Sequence, residues 1–319
     1  MMSKIKILVT GVVPEAGLAE LRKNFTVDCK PEKAGRDWVL AHLPEYDGLV
    51  LMGLQGDREL IDAGTNLKII TAIGVGFDHI DIEYAKQKKI VVTNCPQSVL
   101  IPTAEMTFAL ILATVRRLHF YDKTIREGKW VSVSKPENMG RGLQGKTLGI
   151  YGMGRIGSQV AKYAQVFGMK VIYHNRHQLS SEKEAKMKVN YVDFATLVKT
   201  ADVITLHAPA TPATTGVFNK QVFQQMKKTA YIINAARGKL IKQTDLIAAL
   251  QNGDIAGAGL DVYETEPEVP LALRALDNVV LSPHAGAGTQ EARISVTAEA
   301  AQNLISYFRD HRLINQVNK

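Results

Sequence analysis

The chain has 319 residues, of which 46% are hydrophobic and 22% charged, and its formal net charge is +8 at pH 7. This length exceeds the size at which one hydrophobic core usually stops growing, so the chain is expected to form two domains. No window of about 18 uninterrupted apolar residues is present, which argues against a membrane span, and the scattered basic residues lack the interleaved aromatic side chains that stack nucleic-acid bases.

The opening residues and the cysteines bear on location and metal binding. The chain starts with a short apolar stretch of strand length, Ile5 to Val9, without the longer apolar region of a signal peptide. The two cysteines, Cys29 and Cys95, and the histidines show no metal-ligand spacing. We therefore expect a cytoplasmic protein that binds no metal, no nucleic acid and no membrane.

Apolar runs of strand length alternate with amphipathic stretches along the first third of the chain. Each run is followed by polar or helix-forming sequence. The runs read KIKILVTG, DGLVLMG, LKIITAIG and KKIVVTN. This alternation predicts a parallel sheet with helices on both faces.

A long helix is predicted next, over residues 102–125, because this stretch combines length with high apolar density and has Pro102 near its first turn. A second series of strands follows, with the runs KTLGIYG, MKVIYHN, ADVITLHAP, TAYIINAA, IAGAGLDVY and NVVLSPH. The stretch TQEARISVTAEAAQNLISYFRD predicts a second long helix with Thr289 as its N-cap.

These elements predict an α/β fold of two doubly wound parallel-sheet domains, Rossmann-like or flavodoxin-like, joined by the two long helices. The second long helix is expected to lead the chain back to the first domain and make it discontinuous. The expected boundaries are residues 1–100 plus 289–319 for one domain and residues 101–288 for the other.

The segment GMGRIG lies between a predicted strand and a predicted helix, which is the context in which a G-x-G-x-x-G motif binds a dinucleotide. Gly152 suits the tight turn, Gly154 allows the backbone to approach the pyrophosphate, and Gly157 allows close packing of helix on strand. The helix amino terminus then favours the phosphates through its N–H groups and dipole. The residues of this predicted site are Gly152, Met153, Gly154, Arg155, Ile156 and Gly157.

The end of the next strand bears on the choice of cofactor. A fold that prefers NAD places Asp or Glu near this point to bind the ribose 2′-hydroxyl, but this chain has Asn175 followed by Arg176 and His177. An arginine binds a 2′-phosphate through charge-assisted hydrogen bonds, and the absence of a carboxylate removes repulsion. We expect NADP(H) as the preferred cofactor. The alternative is that Arg176 faces solvent and Asn175 serves NAD(H).

Three later segments each follow an apolar run of strand length: NAARGKL, GLDVYETEP and LSPHAGAGT. They place polar groups at the carboxyl edge of the sheet, where open α/β folds bind ligands. A site that reduces a carbonyl needs a cation for the substrate carboxylate, a proton donor for the developing alkoxide and a group that raises the pKa of that donor. Arg237, His284 and Glu266 are the candidates for these roles, in that order.

With GVGFDHID in its first half and GMGRIG, NAARG, LDVYETEP and PHAGAGT following in order, the chain resembles the D-isomer-specific 2-hydroxyacid dehydrogenase family, and within it the glyoxylate/hydroxypyruvate reductases. The resemblance covers essentially the whole chain. It implies that residues 1–100 plus 289–319 bind the substrate, a small 2-oxo or 2-hydroxy acid, and that residues 101–288 bind the dinucleotide. It also implies that Arg237, Glu266 and His284 are the catalytic residues, with His284 donating a proton to the carbonyl oxygen.

Further binding residues follow from the same resemblance. The backbone N–H groups of Val75 and Gly76 are expected to hold the substrate carboxylate, and Asp261 is expected to accept a hydrogen bond from the nicotinamide amide. The remaining residues expected at the cofactor are His207, Ala208, Pro209, Ala235, His284 and Gly286.

Substrate choice and assembly are predicted more coarsely. Leu54 and Met52 are expected to form an apolar wall of the substrate site. Arg36 is the only arginine or lysine between Lys33 and Arg58, so this stretch offers no evident clamp for a substrate phosphate. Small unphosphorylated 2-oxo acids such as glyoxylate and hydroxypyruvate therefore fit best. Bulkier 2-oxo acids, branched or aromatic, are alternative substrates. The apolar ALILATV helix and the resemblance both favour a homodimer, in which Trp130 is a candidate to line the pocket of a partner subunit.

Two alternative functions are considered beside an NADPH-dependent reductase. One is an NADH-dependent D-lactate or D-2-hydroxyisocaproate dehydrogenase, and the other, from another class, is a dinucleotide-sensing scaffold like the family's corepressors.

Overall fold

The computed structural model describes residues 5–319, so Lys4, the first residue of the predicted opening strand stretch, lies outside the described part. The chain divides into two compact units. Unit 1 comprises Met1–Val99 with Gly288–Lys319, and unit 2 comprises Leu100–Ala287. Each unit contains its own parallel sheet, and this confirms the predicted α/β fold class.

Unit 1 contains, within its described residues, a five-stranded parallel sheet of order β2-β1-β3-β4-β5. The strands are β1 (Lys6–Val9), β2 (Thr26–Cys29), β3 (Gly48–Leu51), β4 (Ile69–Ala72) and β5 (Val91–Thr93). The helices between them are α1 (Glu15–Asn24), α2 (Arg36–His42), α3 (Arg58–Ala63) and α4 (Ile82–Gln87). This is the flavodoxin-like strand order, which brings the carboxyl ends of all five strands to one edge. The two central strands β3 and β4 are buried along their whole length, as expected for a parallel sheet.

Unit 2 contains a seven-stranded parallel sheet of order β12-β11-β10-β9-β6-β7-β8. The strands are β6 (Thr147–Tyr151), β7 (Lys170–His174), β8 (Asn190–Tyr191), β9 (Val203–Leu206), β10 (Tyr231–Asn234), β11 (Gly257–Leu260) and β12 (Val279–Leu281). The helices are α5 (Leu100–Val115), α6 (Leu118–Arg126), α7 (Arg155–Val166), α8 (Ser181–Met187), α9 (Phe194–Thr200), α10 (Lys220–Phe223), α11 (Gln243–Asn252) and α12 (Leu271–Arg274). The order reverses between β6 and β9, and at such a point a doubly wound sheet binds its ligand outside the carboxyl ends of the strands.

The prediction of one long helix over residues 102–125 is wrong. The segment forms two helices, α5 and α6, and between them Arg117 adopts a left-handed backbone conformation with φ of 56°. The reason is tertiary, because the N–H of Arg141 donates to the carbonyl oxygen of Val115 at 2.9 Å and ends α5 there. Neither Gly nor Pro marks this break in the sequence.

The last helix, α13 (Gln290–Phe308), confirms the prediction for the carboxyl-terminal part of the chain. The Thr289 side chain accepts a hydrogen bond from the N–H of Ala292, as expected of an N-cap residue. Helix α13 packs on α1 in unit 1. Among residues 5–319, no helix has both the length and the apolar character needed to cross a membrane.

Candidate active site

The predicted polar segments of unit 2 follow the carboxyl ends of its strands and therefore lie along one edge of the sheet. The glycine-rich loop follows β6, residues 175–177 follow β7, and His207 follows β9. Arg237 follows β10, Asp261 follows β11, and His284 follows β12. Because the strands are parallel, residues from six different strand ends can serve one ligand at this edge.

His284 and Glu266 form a direct pair. The His284 Nδ1 atom lies 2.8 Å from Glu266 Oε2. Glu266 Oε1 accepts a second hydrogen bond, from the N–H of Tyr263 at 3.1 Å. The pairing occupies Nδ1, so Nε2 is the ring nitrogen that can serve a ligand.

The pKa values of the two residues in this pair are shifted in opposite directions. The hydrogen bond with Glu266 raises the pKa of His284 above its ordinary 6.5, against the opposing effect of burial. Burial acts to raise the pKa of Glu266, but the hydrogen bonds from His284 and from the Tyr263 N–H outweigh it and lower the pKa. Both shifts favour a carboxylate beside an imidazolium, so His284 stays a proton donor to a higher pH than a free histidine does.

Asp261 is fully buried and holds the turn that carries His284. Its carboxylate accepts hydrogen bonds from the N–H of Ala285 at 2.7 Å, the N–H of Gly286 at 2.8 Å and the hydroxyl of Ser282. Its carbonyl oxygen accepts from the N–H of His284 at 2.8 Å, and His284 itself has a left-handed φ of 55°. These bonds orient the turn, while the predicted bond from Asp261 to the nicotinamide amide stays a prediction.

The turn that carries Arg237 depends on residues that sequence reasoning did not single out. The Asn234 side chain is fully buried, donates to the Arg237 carbonyl oxygen at 2.9 Å and accepts from the N–H of Ala236 at 3.0 Å. Gly238 lies against the Tyr263 backbone so closely that a Cβ atom there would sit 1.8 Å from the Tyr263 carbonyl oxygen. Asn234 and Gly238 flank Arg237 within the NAARG segment, but nothing in their spacing indicates these contacts.

The glycine-rich loop has the geometry that a bound pyrophosphate needs. Gly152 has φ of 104°, and a Cβ there would lie 2.6 Å from the backbone N of Ala208. A Cβ at Gly157 would lie 2.4 Å from the Gly152 carbonyl oxygen, so helix α7 packs directly on the loop. At Gly154, which precedes α7, a Cβ would meet no atom within 4 Å. The open space in front of Gly154 and the helix amino terminus behind it fit a dinucleotide.

The residues after β7 present donors. The N–H of Met153 donates to Asn175 Oδ1 at 2.6 Å, and this bond fixes the orientation of the amide. The Asn175 Nδ2 atom, a donor, is therefore the group of this side chain that remains for a ligand. Arg176 Nε lies 3.2 Å from His177 Nε2, and both side chains are exposed.

His207 lies beside the glycine-rich loop and stays neutral. Its Nε2 atom is 2.6 Å from the Thr205 hydroxyl, and burial lowers its pKa to about 3. A histidine with such a pKa is uncharged near neutral pH, so it is a far weaker acid than an imidazolium. His207 can therefore line a cofactor site but cannot replace His284 as an acid.

Apart from Arg237, the residues predicted at the substrate belong to unit 1. Val75 and Gly76 follow β4 in the turn of residues 73–79, where Val75 is 40% exposed. Leu54 follows β3 and packs against the core of unit 1, so only part of its side chain is available as an apolar wall. Both turns extend from the carboxyl ends of their strands. Among the described residues, no group of three His, Cys, Asp or Glu side chains is placed to bind a metal ion.

Comparison with known proteins shows what the chain is similar to. The family model for the D-isomer specific 2-hydroxyacid dehydrogenase NAD binding domain matches residues 108–286. The glyoxylate reductase of Thermococcus litoralis is 41% identical over 323 residues, which cover 99% of this chain and 97% of that protein.

Two solved structures have the same fold over almost their whole length. A glyoxylate reductase from Paecilomyes thermophila superimposes with a TM-score of 0.90 at 33% identity and 99% coverage of both chains. An NADPH-dependent glyoxylate/hydroxypyruvate reductase from Sinorhizobium meliloti, in complex with NADP and malonate, gives a TM-score of 0.88 at 31% identity, with 99% of this chain and 97% of that chain covered.

Proposed function

Because the chain belongs to the D-isomer-specific 2-hydroxyacid dehydrogenase family, and is therefore an NAD(P)-dependent oxidoreductase, we propose that it uses NADPH to reduce small 2-oxo acids to D-2-hydroxy acids. Glyoxylate and hydroxypyruvate are the proposed substrates. The observation that carries the reaction is the pair formed by His284 and Glu266, with Nδ1 and Oε2 at 2.8 Å and a raised pKa for the imidazole.

The proposed roles follow from the chemistry of each group. When bound, the reduced nicotinamide supplies the hydride. His284 donates its proton to the carbonyl oxygen, and Glu266 stabilises the imidazolium before the transfer. On unit 2, Arg237 is proposed to bind the substrate carboxylate and polarise the carbonyl. On unit 1, the N–H groups of Val75 and Gly76 are proposed for carboxylate binding.

The dinucleotide is proposed to bind to unit 2, and unit 1 is proposed to supply the N–H groups of Val75 and Gly76 for the substrate. The glycine-rich loop and the amino terminus of α7 bind the pyrophosphate, with Arg155 as an added charge. The residues proposed at the nicotinamide end are His207, Ala208, Pro209, Ala235, Asp261, His284 and Gly286. The space in front of Gly154 supports this placement.

The preference for NADPH is supported by the groups that follow β7. With Oδ1 of Asn175 bound to the Met153 N–H, the amide presents only its donor side. Arg176 adds a guanidinium, and His177 lies next to it. A 2′-phosphate accepts hydrogen bonds from donors and cations, whereas no carboxylate is present here to bind a 2′-hydroxyl or to repel the phosphate.

Replacing Arg176 by Ala is expected to lower kcat/KM for NADPH by about 10- to 100-fold, because charge-assisted hydrogen bonds to the 2′-phosphate are lost. The value for NADH is expected to change little. Arg155→Ala is the matched control, since a contact to the pyrophosphate serves both cofactors and its loss should weaken both equally. Initial rates with each cofactor check this; an equal loss with both in Arg176→Ala would exclude a contact to the 2′-phosphate.

The pair of Glu266 and His284 gives a prediction for pH dependence. The protonated ring is the donor in the reduction, so kcat/KM is expected to fall as the pH rises through the raised pKa of His284. In Glu266→Gln the neutral amide no longer favours the charged ring, and the fall is expected at lower pH. The pH profile of kcat/KM measures the shift, and the same inflection in both proteins would contradict the role given to Glu266.

Small unphosphorylated substrates are supported by the state of Arg36. This side chain forms ion pairs with Asp57 and with Glu59, the second at 3.1 Å, so its charge is already neutralised and is not available to a substrate phosphate.

A panel of 2-oxo acids assayed with NADPH and with NADH tests the proposed function. The highest kcat/KM is expected for glyoxylate or hydroxypyruvate with NADPH, and a higher value with NADH would favour the D-lactate or D-2-hydroxyisocaproate type of dehydrogenase.

A homodimer is part of the same proposal, but the ALILATV segment of α5 does not supply its interface, because Leu110, Ile111 and Val115 are buried in the core of unit 2. Large apolar side chains stay exposed in one segment of unit 2, residues 118–139, where the exposed fraction is 60% for Leu118, 55% for Ile125 and 90% for Trp130. A second copy of the chain would remove this surface from water. A monomer mass in sedimentation equilibrium would contradict this assembly.

A further inference from the structure

The turn that carries Val75 and Gly76 is held from behind by two neighbouring residues. The N–H of Cys95 donates to the Gly74 carbonyl oxygen at 2.8 Å. Asn94 Nδ2 donates to the Val75 carbonyl oxygen, also at 2.8 Å. Two successive carbonyl groups of the turn are therefore bound by the residues that directly follow β5.

These two bonds determine where the N–H groups of the turn point. In a trans peptide the C=O and N–H bonds are antiparallel, so binding the oxygen of one residue directs the N–H of the next residue the opposite way. The N–H groups of Val75 and Gly76 thus point away from Cys95 and Asn94, and among the described residues neither donates to a backbone carbonyl. Two adjacent N–H groups directed to one side form an anion-binding concavity.

Asn94 is itself fixed by its surroundings. Its N–H donates to the Asn315 carbonyl oxygen at 3.2 Å, and its carbonyl oxygen accepts from Asn303 Nδ2 on α13 at 2.9 Å. Asn303 Oδ1 accepts in turn from Asn315 Nδ2 at 3.0 Å. Asn94 is 7% exposed and Asn303 is 1% exposed. The side-chain amide of Asn94 is therefore a buried donor of fixed position.

We propose that Asn94 is a positioning residue for substrate binding. By binding the Val75 carbonyl oxygen, it directs the Gly76 N–H toward the carboxylate of the 2-oxo acid. The inference rests on the proposed function, because it assigns the substrate carboxylate to this turn. In this role Asn94 acts through the backbone of the turn and contacts neither substrate nor cofactor.

Asn318 offers a matched control for a merely structural role. It is 6% exposed, accepts from the N–H of Val92 at 2.9 Å and donates to the Ile90 carbonyl oxygen at 2.8 Å. It thus satisfies backbone groups around the same strand, β5, without a hydrogen bond to the turn of Val75. Loss of either side chain is expected to lower stability, but only loss of Asn94 is expected to change substrate binding.

The experiment compares Asn94→Ala and Asn94→Leu with Asn318→Ala. Asn94→Leu keeps the approximate size of the side chain, stays neutral and removes the donor, so it covers the case in which the alanine variant folds poorly. Both Asn94 variants are expected to raise KM for the 2-oxo acid by about tenfold, the effect of one lost hydrogen bond, with KM for NADPH unchanged. An unchanged KM for the 2-oxo acid in the Asn94 variants, or an equal rise in Asn318→Ala, would overturn the proposal.

A binding measurement separates this proposal from the proposed function. Oxamate, the amide analogue of a 2-oxo acid, is titrated into the full-length 15N-labelled chain, and the amide resonances of Val75 and Gly76 are followed by NMR. Both are expected to shift in the wild type, with about tenfold weaker binding in the Asn94 variants. If the wild type binds oxamate in this way but reduces no 2-oxo acid, the proposed function fails and the role of Asn94 stands. No shift at either residue would overturn the role of Asn94.

Discussion

Replacing His284 by Ala is expected to lower kcat for 2-oxo acid reduction by about 10²- to 10⁴-fold, the usual contribution of a general acid. Burial keeps His207, which also lies at this edge of the unit 2 sheet, neutral with a pKa of about 3, so this histidine is a poor replacement for His284 as the acid. The affinity for the dinucleotide is expected to change little, since the glycine-rich loop is proposed to supply most of that binding. Steady-state rates and fluorescence titration with NADPH measure the two quantities.

His311→Ala is a suitable control for the loss of a histidine. This residue is exposed beyond the end of α13 in unit 1, outside residues 118–139, and should be replaced without effect on kcat. Unchanged turnover in His284→Ala would remove the assignment of the acid. A parallel loss of dinucleotide binding would show that the substitution disturbs the turn rather than the proton transfer.

Replacing Gly238 by Ala is expected to destabilise unit 2 by about 3 kcal/mol and to abolish most of the activity. The added Cβ would sit 1.8 Å from the Tyr263 carbonyl oxygen, so the backbone of one segment has to move. Any such movement displaces the Tyr263 N–H, which binds Glu266, and with it the partner of His284. Urea unfolding and kcat measure the two effects.

Gly154→Ala is the matched control, because a Cβ there would meet no protein atom within 4 Å. It is expected to leave the free energy of unfolding near the wild-type value and to weaken dinucleotide binding. If Gly238→Ala unfolds at the wild-type urea concentration and keeps full turnover, the close contact between residue 238 and Tyr263 does not exist in solution.

The fold class could be predicted from the sequence because each parallel strand is a short apolar run followed by a turn. All residues of β3, β4, β9 and β10 are buried, so the sequences of these strands are mostly apolar, with one polar residue each in β4, β9 and β10. The N-cap at Thr289 could be predicted for a similar reason, since capping is a local interaction. The break between α5 and α6 after Val115 could not be predicted, because it depends on a hydrogen bond from Arg141, which lies far along the chain.

The same difference between local and tertiary interactions decides which residues of the candidate site could be predicted. The residues proposed to serve a ligand, such as Arg237 and His284, occur in short motifs whose chemistry can be recognised in the sequence. The residues that orient them act through tertiary contacts, and their side chains have no distinctive spacing. Asn234 shapes the turn of Arg237, and Asn94 binds the turn of Val75 through an amide–carbonyl contact across 19 positions. Such contacts become visible only when the strands are assembled.

The most direct test of the central claim, that Glu266 keeps His284 protonated for proton transfer, is an NMR titration of the His284 ring. The signal is assigned by its absence in His284→Ala, and its pKa is measured in the wild type and in Glu266→Gln. The wild-type pKa is expected above the ordinary value of 6.5 and is expected to fall in Glu266→Gln. A wild-type pKa at or below 6.5, or the same value in both proteins, would contradict the account.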